Sequence, residues 1–329
     1  MVASLGLAEN LVAVSHECDY PADVAQLPKA TASIIPHGLD QASIDRLVSQ
    51  AMAEATPLYK VDYDLLENLG VNLVITQGLC EVCAVTPRTI EATRLSRSAA
   101  ADAAGCPANP FKIVSMDGRS FAGITDDLRR LASTADDLLA SMLAQPEGRH
   151  QLQARAEAVI ATAKADWQEI TSAKPPPQAL SVLMLEWIDP FFSGGHWVPE
   201  QIIAAGHRPA LCETPQAGIM PASRRLETAE IIAADPDAIG VICCGFGLEE
   251  NADFAAGLYA NPALASLRAI RDEQIFAFDA NSHFSRPSLR IAEGAAVLAA
   301  ALKPDAQRQD ETAAGRILWH QAFKHLKRS

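Results

Sequence analysis

An α/β protein of two Rossmann-like lobes, each with a mostly parallel sheet and the two joined by a long helix, is the fold class this sequence predicts. Three observations carry it. Six short apolar runs bounded by turn residues alternate with helical stretches, the βαβ signal for parallel strands. At 329 residues the chain exceeds what one hydrophobic core usually serves, so two lobes are expected. A long helical region interrupts the alternation in mid-chain, dividing it into halves of similar size. A single doubly wound domain carrying a helical insertion is the other arrangement, but two halves joined by helix fit the length better.

The apolar runs read as strands lie at residues 11–15, 73–76, 112–116, 180–185, 239–243 and 275–278. From Ile124 the apolar positions Leu128, Leu131, Leu138, Leu139 and Met142 keep to one helical face. After a break at Pro146–Gly148 the pattern returns with Leu152, Ala156, Val159, Ile160 and Trp167, and Lys174-Pro175-Pro176-Pro177 stops it. The expected domains are therefore an N-terminal α/β lobe over 1–119, a helical region with the linking helix over 120–174, and a C-terminal α/β lobe over 175–329. The last lobe should end in helices, since residues 307–329 place Trp319, Phe323 and Leu326 on one helical face.

Hydrophobic residues make up 49% and charged residues 20%, the composition of a globular protein and not of a disordered one. A net charge of −13 argues against nucleic acid as a partner. No apolar run is long enough to span a membrane. The N-terminus shows no basic region followed by an apolar stretch, so the chain as given reads as cytoplasmic.

The distinctive residues follow the strands. His16-Glu17-Cys18-Asp19-Tyr20-Pro21 comes after the first, and Gln77-Gly78-Leu79-Cys80-Glu81-Val82-Cys83 after the second. Glu186-Trp187-Ile188-Asp189-Pro190 follows the fourth and runs on to Gly194-Gly195-His196-Trp197-Val198-Pro199-Glu200. Cys244-Gly245-Phe246-Gly247 follows the fifth, and Asp279-Ala280-Asn281-Ser282-His283-Phe284-Ser285-Arg286-Pro287 the sixth. In parallel α/β sheets the strand C-termini share one edge, where ligands bind, so these five loops should converge. Their content is aromatic and weakly polar: Tyr20, Trp187, Phe191, Phe192, Trp197, Phe246 and Phe284 beside His16, His196 and His283. Flat aromatic faces suit a large, mostly apolar, planar ligand, with histidines and amides orienting its polar rim. Either tryptophan alone would serve equally as a core residue covering the sheet edge.

The seven cysteines are an odd number, and their spacing suits thiols or a metal site better than a disulfide framework. Cys80-Glu81-Val82-Cys83, with Cys18 and His16, could supply four ligands to zinc or iron, or act as a redox pair. A buried cysteine also packs as a small hydrophobe, the reading that suits Cys243 and Cys244. The common phosphate-loop, dinucleotide, nucleophile-elbow and zinc-helix signatures are missing, which argues against an enzyme. Glu186 and Asp189 could form an acid–base pair, although a loop carboxylate beside tryptophan is more often a hydrogen-bond acceptor or helix cap.

Five segments, LGLAENLVAVSHECDYP, VNLVITQGLCEVCAV, LEWIDPFFSGGHWVPE, AADPDAIGVICCGF and IFAFDANSHFSRP, taken in order along nearly the whole chain, resemble the cobalamin-binding branch of the substrate-binding proteins of cobalamin and iron-siderophore ABC transporters. The resemblance implies the class III periplasmic-binding-protein fold, with the ligand clamped between two lobes. It implies that His16, Tyr20, Gln77, Trp187, Phe192, His196, Trp197, Phe246, Asn281, Phe284 and Arg286 contact cobalamin, or a related tetrapyrrole or siderophore. No cofactor is required on this reading, and the protein is a monomer that hands its ligand to an ABC permease if exported. The rival is a cytoplasmic metal- or thiol-dependent protein that handles corrinoid through Cys18, Cys80 and Cys83. Two features depart from the branch: its first strand and Pro-Ser-Ala-Thr-Glu-like turn are absent, and Arg286-Pro287-Ser288-Leu289-Arg290 replaces Arg-Pro-Gly-Pro-Arg. The first departure predicts a gene start upstream of Met1, with an export signal that would place the protein in the periplasm.

Overall fold

The computed structural model describes residues 1–36, 38–79, 85–91, 111–143, 151–212, 220–303 and 322–327. It is α/β, and its contacts divide it into two compact units, one of residues 1–118 and 122–160, the other of 119–121 and 161–329.

In the first unit, single turns of 3-10 helix at Ala3–Leu5 and Ala8–Asn10 precede β1 (Thr31–Ser33) and β2 (Tyr59–Val61), which pair antiparallel. Between these strands lies α1 (Gln41–Ala53), whose N-cap Asp40 accepts from the Ser43 amide at 2.7 Å. This cap satisfies one of the donors a helix start leaves open. The strand expected over 11–15 is reduced to one bridge between Val14 and Lys29. Its partner segment begins at Pro28, which has no N–H to continue a ladder. Three-residue strands such as β1 and β2 are too short for a periodic signal, which is why the sequence pattern does not reveal them.

Helix α2 (Tyr63–Asn68) leads into β3 (Leu73–Gln77), which pairs parallel with β4 (Lys112–Met116) from Leu73↔Lys112 to Gln77↔Met116. Tyr63, Leu66, Val71 and Ile90 form the small core beside them. The mid-chain region forms two helices, α3 (Phe121–Leu143) and α4 (Gln151–Ser172). Ile124, Leu128, Leu131, Ala132 and Ala135 are buried along one stripe of α3, each large side chain stabilising by ~1.5–3 kcal/mol. Met142, expected on that stripe, is 61% exposed because the stripe has run off the covered face by the last turn. The buried Asp136 carboxylate accepts from the amides of Leu152 and Gln153, so α3 itself caps α4. The division between units falls inside α4, after Ile160.

The second unit is built on a six-stranded sheet in the order β10-β9-β8-β5-β6, with β7 also on β5. Its strands are β5 (Ser181–Ile188), β6 (Phe191–Ser193), β7 (Arg208–Pro209), β8 (Ala238–Val241), β9 (Ile275–Phe278) and β10 (Phe323–Leu326). β5, β8 and β9 run parallel, with Val241 opposite Leu185 and Ala277. Helices α5 (Val198–Ala204), α6 (Thr228–Ala234), α7 (Leu248–Ala260), α8 (Arg268–Arg271), α9 (Ala280–His283) and α10 (Ile291–Ala301) complete it. On one face of the sheet Leu183, Leu185, Ile239, Val241, Ile275 and Ala277 pack with Ala255 and Leu258 of α7. On the other, a Cβ on Gly240 would come 2.4 Å from Met184 Sδ and 2.9 Å from Phe278, so only glycine lets these side chains close over the strand.

Two expectations are corrected here. β5 continues past residue 185 to Ile188 and turns through the cis Asp189–Pro190 bond into β6, so Glu186, Trp187, Phe191 and Phe192 stand on a hairpin and not in an open loop. Within the terminal helix expected over 307–329, Phe323–Leu326 form β10 instead, antiparallel to β9, while residues 307–321, Trp319 among them, lie outside the described residues. Pairing with β9 satisfies a row of backbone groups that an edge β9 would leave open, and His325 stacks on Phe276 at 4.6 Å.

Candidate functional site

In the second unit the strand C-termini share one edge, as parallel topology requires, and aromatic side chains gather there. Trp187 near the end of β5 lies 5.9 Å from Phe246, which follows β8, and Phe246 meets Phe254 of α7 edge-on at 4.9 Å and 87°. The register with β6 shifts between Leu185 and Trp187, and past this bulge Trp187 packs against the cluster of Leu183 and Leu185, so it extends the core face of the sheet out to its rim. All three rings are half-buried, packed on the core below. The indole Nε1–H of Trp187 donates to the Asp189 carbonyl at 3.1 Å, which fixes the ring's direction. Phe192, opposite Trp187 on β6, is also half-buried.

The turn Gly194-Gly195-His196 crosses behind this edge. Gly195 donates its amide to Glu186 Oε2 at 3.3 Å, and a Cβ there would stand 2.1 Å from the Ser223 nitrogen. Close backbone approach therefore demands glycine. His196, held by its amide bond to the Pro221 carbonyl at 2.6 Å, takes a left-handed conformation with φ 54°. Such a conformation costs about 1–3 kcal/mol in a non-glycine residue and persists only where packing imposes it. Its Nδ1 is buried without a hydrogen-bond partner. Burial, with the Arg119 charge adding to it, holds the imidazole below its ordinary pKa, so the ring is neutral at pH 7. Burial by itself lifts the Glu200 carboxyl, although the Phe121 amide donating at 2.8 Å opposes the rise. The Cys212 thiol, bonded to the Gly194 carbonyl, is pushed up to about 12 by burial and then by Glu186, which keeps it protonated and unreactive.

Three aromatic residues expected in the ligand surface belong to the core instead, Phe191 among them at 8% exposure. Trp197 is 3% exposed and spends its Nε1–H on the Phe284 carbonyl at 2.6 Å, and Phe284 is 1% exposed. The first turn of α5 rotates Trp197 inward, under α9. His283 is buried as well, 3.6 Å from Glu293, and burial with the nearby Arg290 lowers it to about 4. Asn281 and Arg286 remain half-buried at the same edge, on α9 and just after it.

In the first unit, His16 hydrogen-bonds Thr31 Oγ1 through Nδ1 at 2.7 Å and faces the Tyr59 ring at 5.5 Å. Tyr20 is 66% exposed, before the cis bond to Pro21. Gln77 ends β3, and the strand edge beyond it is polar: Asp117 accepts from the Gly78 amide at 2.9 Å and from Ser115 Oγ. Gly78, Thr86, Pro87, Arg88, Ser115 and Asp117 line an open hollow of about 320 Å³. Cys18 is half-buried with its Sγ 3.4 Å from Ser15 Oγ, while Cys80 and Cys83 lie outside the described residues. Among the described residues no group of three or more His, Cys, Asp or Glu side chains is placed to hold a metal.

No family model matches the chain, and no curated protein does. Solved structures do match. The periplasmic vitamin B12-binding protein BtuF of Vibrio cholerae aligns with a TM-score of 0.59 at 15% identity, over 94% of this chain and 93% of its own. The periplasmic heme-binding protein RhuT of Roseiflexus sp. RS-1 gives 0.57 at 22% identity over 91% and 92%, and an ABC transporter substrate-binding protein of Listeria monocytogenes EGD-e gives 0.60 at 15% over 92% and 93%. This chain has the fold of the periplasmic solute-binding proteins.

Within that solute-binding fold, sequence reasoning passed over two residues of the aromatic edge and its turn. Phe254 sits inside α7, where an aromatic reads as core, and only the ring contact to Phe246 brings it to the rim. Arg119 follows β4 by three residues. The rule that collected the loops after the other five strands would have found it had it been applied to the third as well.

Proposed function

We propose that this chain is a ligand-binding protein, not a catalyst, that captures cobalamin or a related metal chelate for uptake by an ABC transporter. The observation that carries the reading is the half-buried aromatic group Trp187, Phe246 and Phe254 at the strand C-termini of a solute-binding fold. Open aromatic faces contribute large contact area at small entropic cost, and a macrocycle presents the matching flat apolar surface. Fold neighbours include a vitamin B12-binding and a heme-binding protein, whose ligands are both flat metal chelates, beside one described as a possible iron-binding protein, which supports the class. On this reading the metal chelate is cargo, no further cofactor is needed, and the monomer meets an ABC permease outside the cytoplasm. None of the described helices is long and apolar enough to cross a membrane.

The test is the absorption spectrum of the protein incubated with cobalamin and then desalted. A retained corrinoid band at one equivalent is expected. Trp187→Ala and Phe246→Ala should each weaken binding by about 1–3 kcal/mol while leaving the unfolding midpoint nearly unchanged. Loss of the band from the wild-type protein with cobalamin and with heme alike, or full affinity in both variants, would overturn the reading.

A further inference from the structure

We propose that the polar hollow at the ends of β3 and β4 is a binding site for a small neutral molecule carrying a primary carboxamide. The inference goes beyond the proposed function and does not rest on it, since every residue lining the hollow belongs to the first unit. The hollow, of about 320 Å³, is built from three segments. Gly78 follows β3, Ser115 and Asp117 stand at the end of β4, and the parallel register up to Gln77↔Met116 sets these ends side by side. The third segment, Thr86-Pro87-Arg88, opens the helical turns at 87–91. Thr76 Oγ1 on β3 donates to the Val85 carbonyl, and the Tyr63 hydroxyl of α2 donates to the Ile90 carbonyl at 3.2 Å, so this segment is tied at both ends. Thr86 Oγ1 accepts from the Thr89 amide at 3.3 Å.

The hydrogen-bonding capacity of the hollow is only partly used. Asp117 Oδ1 accepts from the Gly78 amide at 2.9 Å and from Ser115 Oγ, while Oδ2 of the same exposed carboxylate accepts from none of the described residues. A Cβ on Gly78 would stand 2.4 Å from Asp117 Oδ1, so any side chain there would push the carboxylate off the amide. Arg88 is exposed and forms no ion pair or hydrogen bond among the described residues. The hollow is therefore lined by one carboxylate and one guanidinium that do not pair with each other. A ligand carboxylate would be drawn to Arg88 and repelled by Asp117, and an ammonium group would meet the reverse. A primary carboxamide presents its carbonyl oxygen to the guanidinium and its N–H to the carboxylate, with a charge assisting each bond and no net charge to repel.

Propionamide, propionate, methyl propionate and β-alanine test the chemistry. Each is titrated into the isotope-labelled full chain while the NMR resonances of the Gly78 amide and the Arg88 Nε–H are followed. Propionamide should shift both saturably and bind at least about fivefold more tightly than the other three. Asp117→Asn keeps an oxygen for the Gly78 amide and replaces Oδ2 by an NH₂ donor, so it should reverse the order and favour propionate over propionamide by about fivefold. Arg88→Met should abolish saturable binding of propionamide and leave the unfolding midpoint unchanged. Binding of propionate, methyl propionate or β-alanine as tight as that of propionamide would overturn the site. So would the lack of any saturable shift with propionamide, or an Asp117→Asn variant that keeps the preference for the amide.

Discussion

The C-terminal strand edges of the two units are built on the same parallel geometry and carry opposite chemistry. At the end of β3 and β4 the first unit offers a polar rim, with Asp117 accepting from Gly78 and Ser115 beside a hollow of about 320 Å³. At the end of β5 and β8 the second offers Trp187, Phe246 and Phe254 over a closed hydrophobic layer. Strand direction places loops at an edge whatever they contain. What the edge can bind is decided by whether its side chains rest on a core deep enough to keep large rings half-covered. Beside β3 and β4 the first unit packs the small cluster of Tyr63, Leu66, Val71 and Ile90, and the rim at the ends of these strands consists of hydrogen-bonding groups. The second unit's core runs continuously out to its rim.

The sharpest way to break this contrast is to set the aromatic rim against a buried aromatic of the same unit, Trp197, which lies outside the cluster that carries Trp187. Trp197→Ala should cost about 3–5 kcal/mol of stability in urea unfolding, since it deletes a buried indole and orphans the Phe284 carbonyl. Trp187→Ala, on the open side of the same edge, should leave stability within about 1 kcal/mol. Similar losses at both positions would mean that Trp187 is as much a core residue as Trp197.

A smaller effect follows from the buried histidine His283, packed against Gln201 and Gly294. The folded-state pKa of His283, about 4, lies below the ordinary value of 6.5. The neutral ring's contribution to stability is therefore complete above pH 6.5 and is lost as pH falls toward 4, because the unfolded chain takes up the proton first. The second unit should lose about 3 kcal/mol across that window. His283→Gln should flatten the dependence, and an unchanged slope in that variant would assign the loss elsewhere.

The smallest effect is expected at the polar edge. Asp117→Ala should cost about 1–2 kcal/mol of stability, because the Gly78 amide loses its acceptor. Cobalamin affinity should move by less than about threefold, against about tenfold at Trp187. A larger change measured by the same spectral titration would give the polar rim an equal part in binding.

Much of the fold was legible because periodicity reports burial. The stripe Ile124, Leu128 and Leu131 and the runs that became β5, β8 and β9 repeat at the spacings of a buried helix face and of buried parallel strands. The expected strand at 11–15 failed because an apolar run needs a partner with free donors, and Pro28 limits its ladder to one bridge. At Phe323–Leu326 the expected helix gave way to a strand because these residues support either period, and the edge of β9 decided between them.

Sequence by itself determined the α/β class, the order of its elements and the set of loops that hold the unusual residues, because these depend on local spacing and on the direction of parallel strands. Tertiary structure alone decided which of those residues face outward. Trp187 and Trp197 stand ten positions apart in one chemically uniform segment, yet the hairpin carries the first to the rim and the first turn of α5 rotates the second into the core. The left-handed turn at His196 and the placement of Arg119 on the same unit likewise arise from close backbone packing at Gly195 and from the Phe121–Glu200 bond. These are contacts between segments distant in sequence, and no pattern within either segment records them.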